Sequence, residues 1–282
     1  MMLETIRQRY SCRSYNRTPL TKATRQELAN FCEAQTIGPL GSLARFRLIT
    51  ADGNDRAALK GLGTYGFIKN PTGFIIGAAG AGRYNLEDFG YLLENIVLRA
   101  TALELGTCWL GGSFTKSSFA QKIGLQGDEM LPAVISVGQP ADKRTLMDRL
   151  LRGAAGSNHR LPWETLFFTD NFAAPLTQKS AGPYAEVLEM VRLGPSASNK
   201  QPWRIVREGT VWHFYLAHTP GYKQQVQAVT KVDLQRVDIG IAMCHFALAA
   251  EELELQGTWA TDEPELAKPN PNTEYMVSWI EA

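Results

Sequence analysis

Asp88-Phe-Gly-Tyr-Leu-Leu-Glu-Asn-Ile-Val-Leu-Arg-Ala-Thr-Ala-Leu-Glu-Leu-Gly-Thr-Cys-Trp109 is matched further along the chain by Asp238-Ile-Gly-Ile-Ala-Met-Cys-His-Phe-Ala-Leu-Ala-Ala-Glu-Glu-Leu-Glu-Leu-Gln-Gly-Thr-Trp259. A constant offset of 150 aligns the two without a gap, and Asp88/Asp238, Gly90/Gly240, Leu98/Leu248, Ala100/Ala250, Leu103/Leu253, Glu104/Glu254, Leu105/Leu255 and Trp109/Trp259 are identical. Eight matches in 22 ungapped positions are hard to ascribe to shared helix composition. The bland alternative is two unrelated amphipathic helices that agree by chance. A repeat at fixed offset is normally a structural unit, and this period is far too long for a solenoid. The chain therefore reads as two copies of one domain-sized lobe.

Composition agrees with that division. A chain of 282 residues, 44% apolar and 20% charged, has the make-up of a globular protein and the length of two domains. A formal charge of +1 gives no reason to expect nucleic acid or an anionic membrane as partner, so any basic site must be local. Cys12, Cys32, Cys108 and Cys244 form no Cys-x-x-Cys pair and no metal-like spacing with the four histidines, and no metal is expected. The N-terminus lacks an apolar signal core, and no apolar run reaches the roughly 18 residues of a membrane span. The expected location is the cytoplasm.

Along the chain, residues 3–10 read as a short helix ending in a basic turn, and residues 24–34 as a helix with Thr21 as its N-cap. Strands are expected at 46–50, 73–77 and 133–138, with the repeated helix before the last of them. The glycines of Gly106-Thr-Cys-Trp-Leu-Gly-Gly112 are expected to end that helix and leave backbone exposed. A basic stretch covers 143–152, and the segment 169–182, rich in Pro, Thr, Ser and Ala, carries the lobe boundary. The lobes are thus 1–168 and 169–282. The second repeats the order in shortened form: helix 184–193, loop 194–201, strands 203–207 and 211–217, the repeated helix and a last strand near 275–280. Helices alternating with strands argue for α/β or α+β packing.

Two segments carry chemistry. Arg9-Tyr-Ser11-Cys-Arg13 sets two guanidiniums and a hydroxyl within five residues, either a solvated basic turn or a site that grips a phosphate and keeps a cation for a second anionic centre. Gly194-Pro-Ser196-Ala-Ser198-Asn199-Lys-Gln201-Pro202-Trp203 is either an ordinary turn feeding a strand or a set of short polar groups for the edge of a flat ligand. His245 reads as a buried core histidine, His213 and His218 as solvent-facing, and His159 as a neighbour of Arg160 with access to phosphate. No Ser/His/Asp set or carboxylate pair stands out, and no side chain is assigned a catalytic role.

The second segment resembles the Pro-Ser-x-x-Asn-x-Gln-Pro-Trp signature of the FMN-dependent nitroreductase family. Arg9-x-Ser11-x-Arg13, followed by Tyr15 and Pro19, resembles that family's N-terminal Arg-x-Ser-x-Arg motif. The repeated helix ending in Leu105-Gly-Thr-Cys-Trp-Leu-Gly-Gly112 is similar to its long interface helix and following turn, and His159-Arg160-Leu161-Pro162 to its late basic element.

The resemblance implies an α+β fold, a three-layer α/β/α sandwich, with the two lobes forming a pseudo-dimer. Family members are usually homodimers that build FMN sites from the arginine motif of one subunit and the Asn turn of the other. Here the first lobe has the arginines but, in place of the Asn turn, residues 38–47 with neither Asn nor Gln-Pro-Trp; the second has the Asn turn but no Arg-x-Ser-x-Arg. The chain resembles a fused dimer with one flavin site intact. Carried over, the resemblance gives Arg9, Ser11 and Arg160 to the FMN phosphate, with Lys143 or Arg144 as weaker candidates and Asn158 where some members have a second cation. Arg13 goes to the pyrimidine edge and Lys69 near it, while Tyr10 borders the site. Pro195, Ser196, Ser198 and Asn199 border the ring from the other lobe, and the N–H groups of Leu110, Gly111 and Gly112 approach N5. Tyr10, Phe67, Trp109, Phe114 and Trp203 are pocket-wall candidates, with a core role as the alternative for each.

The implied activity is an oxidoreductase that takes hydride from NAD(P)H through FMN to a nitroaromatic, a quinone or another flat, electron-poor acceptor. A monomer is expected, with a homodimer as the other possibility. The competing reading is a flavin-binding carrier or sensor without turnover.

Overall fold

The computed structural model of the chain describes residues 1–52, 56–141, 159–221 and 232–282. Contacts divide it into two units, one of Gln8–Ala155 and one of Met1–Arg7 with Gly156–Ala282. The division falls earlier than the expected 168/169; Phe167–Thr169 and Asn171–Pro175 are strands of the second sheet.

Within Gln8–Ala155, strands β1 (Ala44–Thr50), β2 (Gly73–Ala79), β3 (Gly106–Leu110) and β4 (Val134–Gly138) form one sheet in the order β1-β2-β4-β3, with every neighbour antiparallel. In the other unit β5 (Phe167–Thr169), β6 (Asn171–Pro175), β7 (Trp203–Glu208), β8 (Val211–Ala217), β9 (Gly257–Ala260) and β10 (Thr273–Glu281) take the order β6-β5-β7-β8-β10-β9. Its β7-β8-β10-β9 portion repeats the first sheet strand for strand, again all antiparallel. The chain thus holds two related α+β units. β5 adds a parallel strand to β7, pairing Phe167 with Ile205, and β6 folds back on β5. The front of the stretch expected to carry the lobe boundary is therefore sheet edge.

The helices are α1 (Met2–Gln8), α2 (Lys22–Ala34), α3 (Asn85–Ala102), α4 (Lys116–Ile123), α5 (Trp163–Leu166), α6 (Gln178–Ala181), α7 (Tyr184–Leu193) and α8 (Leu234–Glu252). α1 belongs to the second unit: the Leu3 N–H donates to Glu252 at 2.9 Å, and Arg7 pairs with Glu186. Thr21 caps α2 as expected, its hydroxyl accepting the Thr24 N–H at 3.1 Å; Thr177 caps α6 in the same way, accepting from Ser180 at 3.0 Å. Both threonines follow Pro-Leu, and Leu20 and Leu176 are both buried, which marks a second repeated element.

β2 is buried along its whole length and covered on both faces. Phe74 meets Phe119 of α4 edge-on at 5.0 Å. On the opposite face Gly77 lies against Phe46 and Phe89, where a Cβ would come within 2.6 Å of both rings. Helices on opposite faces of the sheet make this unit a three-layer α/β/α sandwich. In the second unit Trp212 and Phe214 of β8 meet Tyr184 of α7 and Phe246 of α8 at 4.8 and 5.3 Å. Tyr215, the next residue after Phe214, packs with Val206 and Tyr275, and Phe168 and Phe172 of the added strands join them. Between β9 and β10 no helix occupies the place that α4 takes in the first unit.

The repeated helices end earlier than the glycines implied. After α3 the Leu105 N–H reaches the Ala100 carbonyl at 3.0 Å and the Glu104 N–H reaches Thr101 at 2.9 Å; Leu255 and Glu254 make the same bonds at 2.9 and 3.0 Å. This is a Schellman closure with glutamate in the left-handed position that glycine usually fills. Residues 106–110 then form β3 rather than an exposed turn, pairing Gly106 with Gly138 and Leu110 with Val134.

Candidate functional site

In the unit Gln8–Ala155 the chain leaves α1 extended. Ser11 pairs parallel with Thr107 of β3, and the Cys12 N–H donates to the Thr107 carbonyl at 2.7 Å. This approach needs Gly106, since a Cβ there would stand 2.7 Å from the Cys12 sulfur. Next, Lys69 donates its N–H to the Arg13 carbonyl at 2.8 Å and accepts that of Tyr15 at 3.0 Å. The backbones of Arg13 and Lys69 are thereby locked side by side. Tyr15 anchors the run, its hydroxyl 2.7 Å from the Cys12 carbonyl and 2.8 Å from the Ser136 hydroxyl. Burial, with the Cys12 and Cys108 thiols nearby, pushes the Tyr15 phenol well above its ordinary range and keeps it protonated.

The Arg9 side chain is almost wholly buried and ion-paired through Nε with Glu94 of α3 at 3.7 Å, and Glu94 also accepts the Trp109 indole N–H at 2.7 Å. Gly111 and Gly112 follow the end of β3, whereas Leu110 is a buried strand residue paired with Val134.

In the other unit the turn after α7 is strained: Ser198, Asn199 and Gln201 hold φ of 51°, 53° and 48°. A closed set of bonds maintains it. Asp238 of α8 accepts the Ala197 N–H at 2.9 Å, Ser196 Oγ accepts that of Gln201 at 2.8 Å, and the buried Gln201 side chain accepts that of Leu161 at 2.8 Å. Asn199 donates to the His159 carbonyl at 2.9 Å, and Arg160 donates to Asn199 at 3.3 Å and to the Leu193 carbonyl at 3.0 Å. Arg160, expected in the first lobe, therefore belongs with the Asn turn. Pro195 and Ser196 are half-buried and Ser198 is exposed.

The equivalent aspartate of the first unit holds the equivalent loop. Asp88 accepts the N–H groups of Leu40 at 2.9 Å and Ser42 at 2.7 Å, one on each carboxylate oxygen. Asp238 uses one oxygen in this way; among the described residues its buried Oδ2 has no hydrogen-bond partner. Burial raises the pKa of both carboxyls, that of Asp238 to well above the usual range. Glu94 behind the arginine segment and Asp238 behind the Asn turn were not anticipated, and Gln201, part of the expected motif, had no role assigned to it; the Asp88/Asp238 identity in the repeat was the available signal for Asp238.

Residues 1–250 match the family described as "Putative TM nitroreductase". The chain belongs to this nitroreductase family. Its fold is that of a putative nitroreductase from Thermotoga maritima, with a TM-score of 0.61 and 19% identity over 99% of this chain and 93% of that one. Two shorter structures also match: a putative NADH dehydrogenase/NAD(P)H nitroreductase from Parabacteroides distasonis (24% identity, 51% of this chain and 89% of that one, TM-score 0.40), and a nitroreductase with bound FMN from Bacteroides fragilis (16%, 51% and 91%, 0.39). No curated protein matches the chain.

The donor chemistry of this nitroreductase-family chain suits the flavin nucleotide that its motifs imply. Arg9, Ser11, Arg13 and Lys69 supply three cations and a hydroxyl on neighbouring backbones of one unit, groups suited to a phosphate and an electron-rich heterocycle edge. Ser196, Ser198 and Asn199 are short polar side chains at the strained turn of the other unit.

Of the pocket-wall candidates, Phe114 and Trp203 take the core alternative, the first edge-on to Phe119 at 5.3 Å and the second fully buried. Tyr10 and Trp109 are half-buried, and Phe67 is exposed. His213 does not face solvent: it is buried, bonded to Ser278 at 2.7 Å with Glu208 at 3.4 Å, and burial lowers its pKa. His218 pairs with Glu274 at 3.0 Å, and His245 is the expected core histidine, held by the Met190 carbonyl at 2.8 Å. Lys143, Arg144, Asn158 and the basic stretch 143–152 lie outside the described residues. Among the described residues no helix is long and apolar enough to cross a membrane.

Proposed function

We propose that this nitroreductase-family chain is an FMN-dependent oxidoreductase that carries hydride from NAD(P)H to flat, electron-poor acceptors such as nitroaromatics and quinones. The observation that carries the reading is complementarity. One unit has the arginine-bearing segment and a loop at 38–42 without Asn; the other has the Asn turn, and no arginine at 165, 167 or 169, the positions that precede its Pro-Leu-Thr as Arg9, Ser11 and Arg13 precede the first. Each half supplies what the other lacks, as expected of a fused dimer that retains one site.

On this reading Arg9 and Ser11 hold the FMN phosphate, and Arg13 with Lys69 places positive charge at the pyrimidine edge, where reduction adds electron density. Ser196, Ser198 and Asn199 border the ring, with Pro195 shaping the turn. Arg160, through its bonds to Asn199 and the Leu193 carbonyl, is assigned to that turn rather than to the phosphate. The N–H groups of Gly111 and Gly112, beyond the end of β3, are assigned to the N5 side, and Leu110 serves as their buried anchor. When bound, FMN supplies the hydride chemistry; the chain supplies binding, orientation and charge. The working form is a monomer.

The test is the bound-flavin stoichiometry and NAD(P)H reduction of the purified full chain. One FMN per chain, bleached by NADH or NADPH and recoloured by a quinone or nitroaromatic, is the expected result. Two FMN per chain would overturn the single-site reading, a yellow protein that neither nucleotide reduces would point to a carrier, and a chain that cannot be loaded with FMN would remove the basis of both.

A further inference from the structure

Glu94 is a fully buried carboxylate in the middle of α3, 3.7 Å from the Arg9 guanidinium and bonded to the Trp109 indole at 2.7 Å. A buried carboxylate is costly unless a cation and hydrogen-bond donors compensate it, so its presence needs a reason.

The second unit supplies the comparison. At the same offset Trp109 is retained as Trp259, but Glu94 is replaced by the buried Cys244; residues 165–169, which precede the second Pro-Leu-Thr as Arg9–Arg13 precede the first, carry no arginine, and 167–169 pair with β7. Trp259 instead packs edge-on against Phe214 and Trp279 at 5.2 and 5.1 Å. The tryptophan is thus independent of the carboxylate, and the carboxylate is present only where the arginine is. Without its cation a buried glutamate loses compensation, and a thiol fills the place as a small apolar group.

We propose that Glu94 is the positioning residue of Arg9, fixing the guanidinium from its Nε side so that it meets the nucleotide phosphate already oriented. The proposal rests on the assignment of Arg9 to the FMN phosphate. Two long side chains held by each other lose less freedom when the ligand arrives, which is how preorganisation raises affinity. Glu94 itself touches no ligand.

The experiment is titration of the deflavinated full chain with FMN and with riboflavin, which lacks the phosphate, in wild type, Arg9→Ala, Glu94→Gln, Glu94→Asp and the Arg9→Ala/Glu94→Gln pair. Glu94→Gln keeps an acceptor for Trp109 but removes the charge. It is expected to weaken FMN on the order of tenfold, as loss of a supporting residue behind a ligand-binding group does, with riboflavin affinity unchanged. Glu94→Asp recovers much of the loss, and the double variant binds FMN no more weakly than Arg9→Ala alone. Wild-type FMN affinity in Glu94→Gln beside a weakened Arg9→Ala overturns the proposal, as do additive losses or an equal loss for riboflavin. Unchanged FMN affinity in Arg9→Ala would instead refute the phosphate assignment itself, and the proposal with it. If Glu94→Gln does not fold, Arg9→Ala/Glu94→Cys carries the test by reproducing the pairing of the second unit. It should melt above Arg9→Ala alone, and equal or lower melting overturns the proposal.

Discussion

Glu104 and Glu254 hold the same left-handed backbone, φ 60° and 59°, one residue past the C-caps of α3 and α8. Each helix is closed by the same two hydrogen bonds, one from the glutamate N–H and one from that of the following leucine, and each glutamate side chain is exposed. Steric crowding at a left-handed L-residue costs roughly 1–2 kcal/mol. Part of what glycine would recover there is lost to its greater freedom in the unfolded chain. Glu104→Gly and Glu254→Gly should therefore each stabilise the protein by up to about 1 kcal/mol, and Glu104→Val should destabilise it by a similar amount, as measured by urea unfolding.

The two repeated aspartates should respond in opposite directions to the same substitution. Asp238 has one partnered oxygen, and its pKa is raised by burial, so the folded protein keeps a proton that the unfolded chain releases above about pH 4. Its contribution to stability therefore declines as pH rises from there toward the folded pKa. Asp238→Asn still offers an oxygen to the Ala197 N–H and never ionises. It should raise the melting temperature at pH 8, by the equivalent of about 1 kcal/mol or more, with the gain fading toward pH 4. Asp88→Asn turns an amide NH2 toward one of the two N–H groups, of Leu40 or Ser42, and should destabilise by about 1–3 kcal/mol. Calorimetry across that pH range checks both.

Gly38→Ala should also be costly. A Cβ at that position would lie 2.3 Å from atoms of the Asp88 side chain, and Asp88 is held by the loop it supports. A loss of about 2 kcal/mol is expected, read from the midpoint of chemical unfolding. If Gly38→Ala were neutral, the loop would have to be able to move away from α3.

Asn199→Ala removes the bonds to the His159 carbonyl and from Arg160. About 1–2 kcal/mol of stability should be lost as the strained turn relaxes. On the proposed function FMN affinity falls as well, and Arg13→Ala in the other unit lowers FMN affinity without a comparable stability loss. Equilibrium dialysis of FMN against both variants, beside their melting curves, separates the two effects.

Much of this protein was legible in its residues. The 150-residue offset gave two related units, and the sheets confirm a common strand order. Thr21 as a cap, the buried run at Gly73–Ala79 and the core role of His245 all followed from local chemistry, because caps and apolar runs act within a few residues of themselves. The helix ends were misplaced because a glutamate occupies the left-handed cap, and nothing in its side chain announces that conformation. The same limit hid β5 and β6: short, polar-flanked strands are defined by the partner they find, here β7. Only the folded chain attaches Arg160 to Asn199, turns His213 inward onto Ser278 and sets Glu94 beside Arg9. Sequence order specifies which groups are available, but burial and pairing between residues tens to hundreds of positions apart depend on the sum of packing across the whole sheet. No local pattern carries that sum.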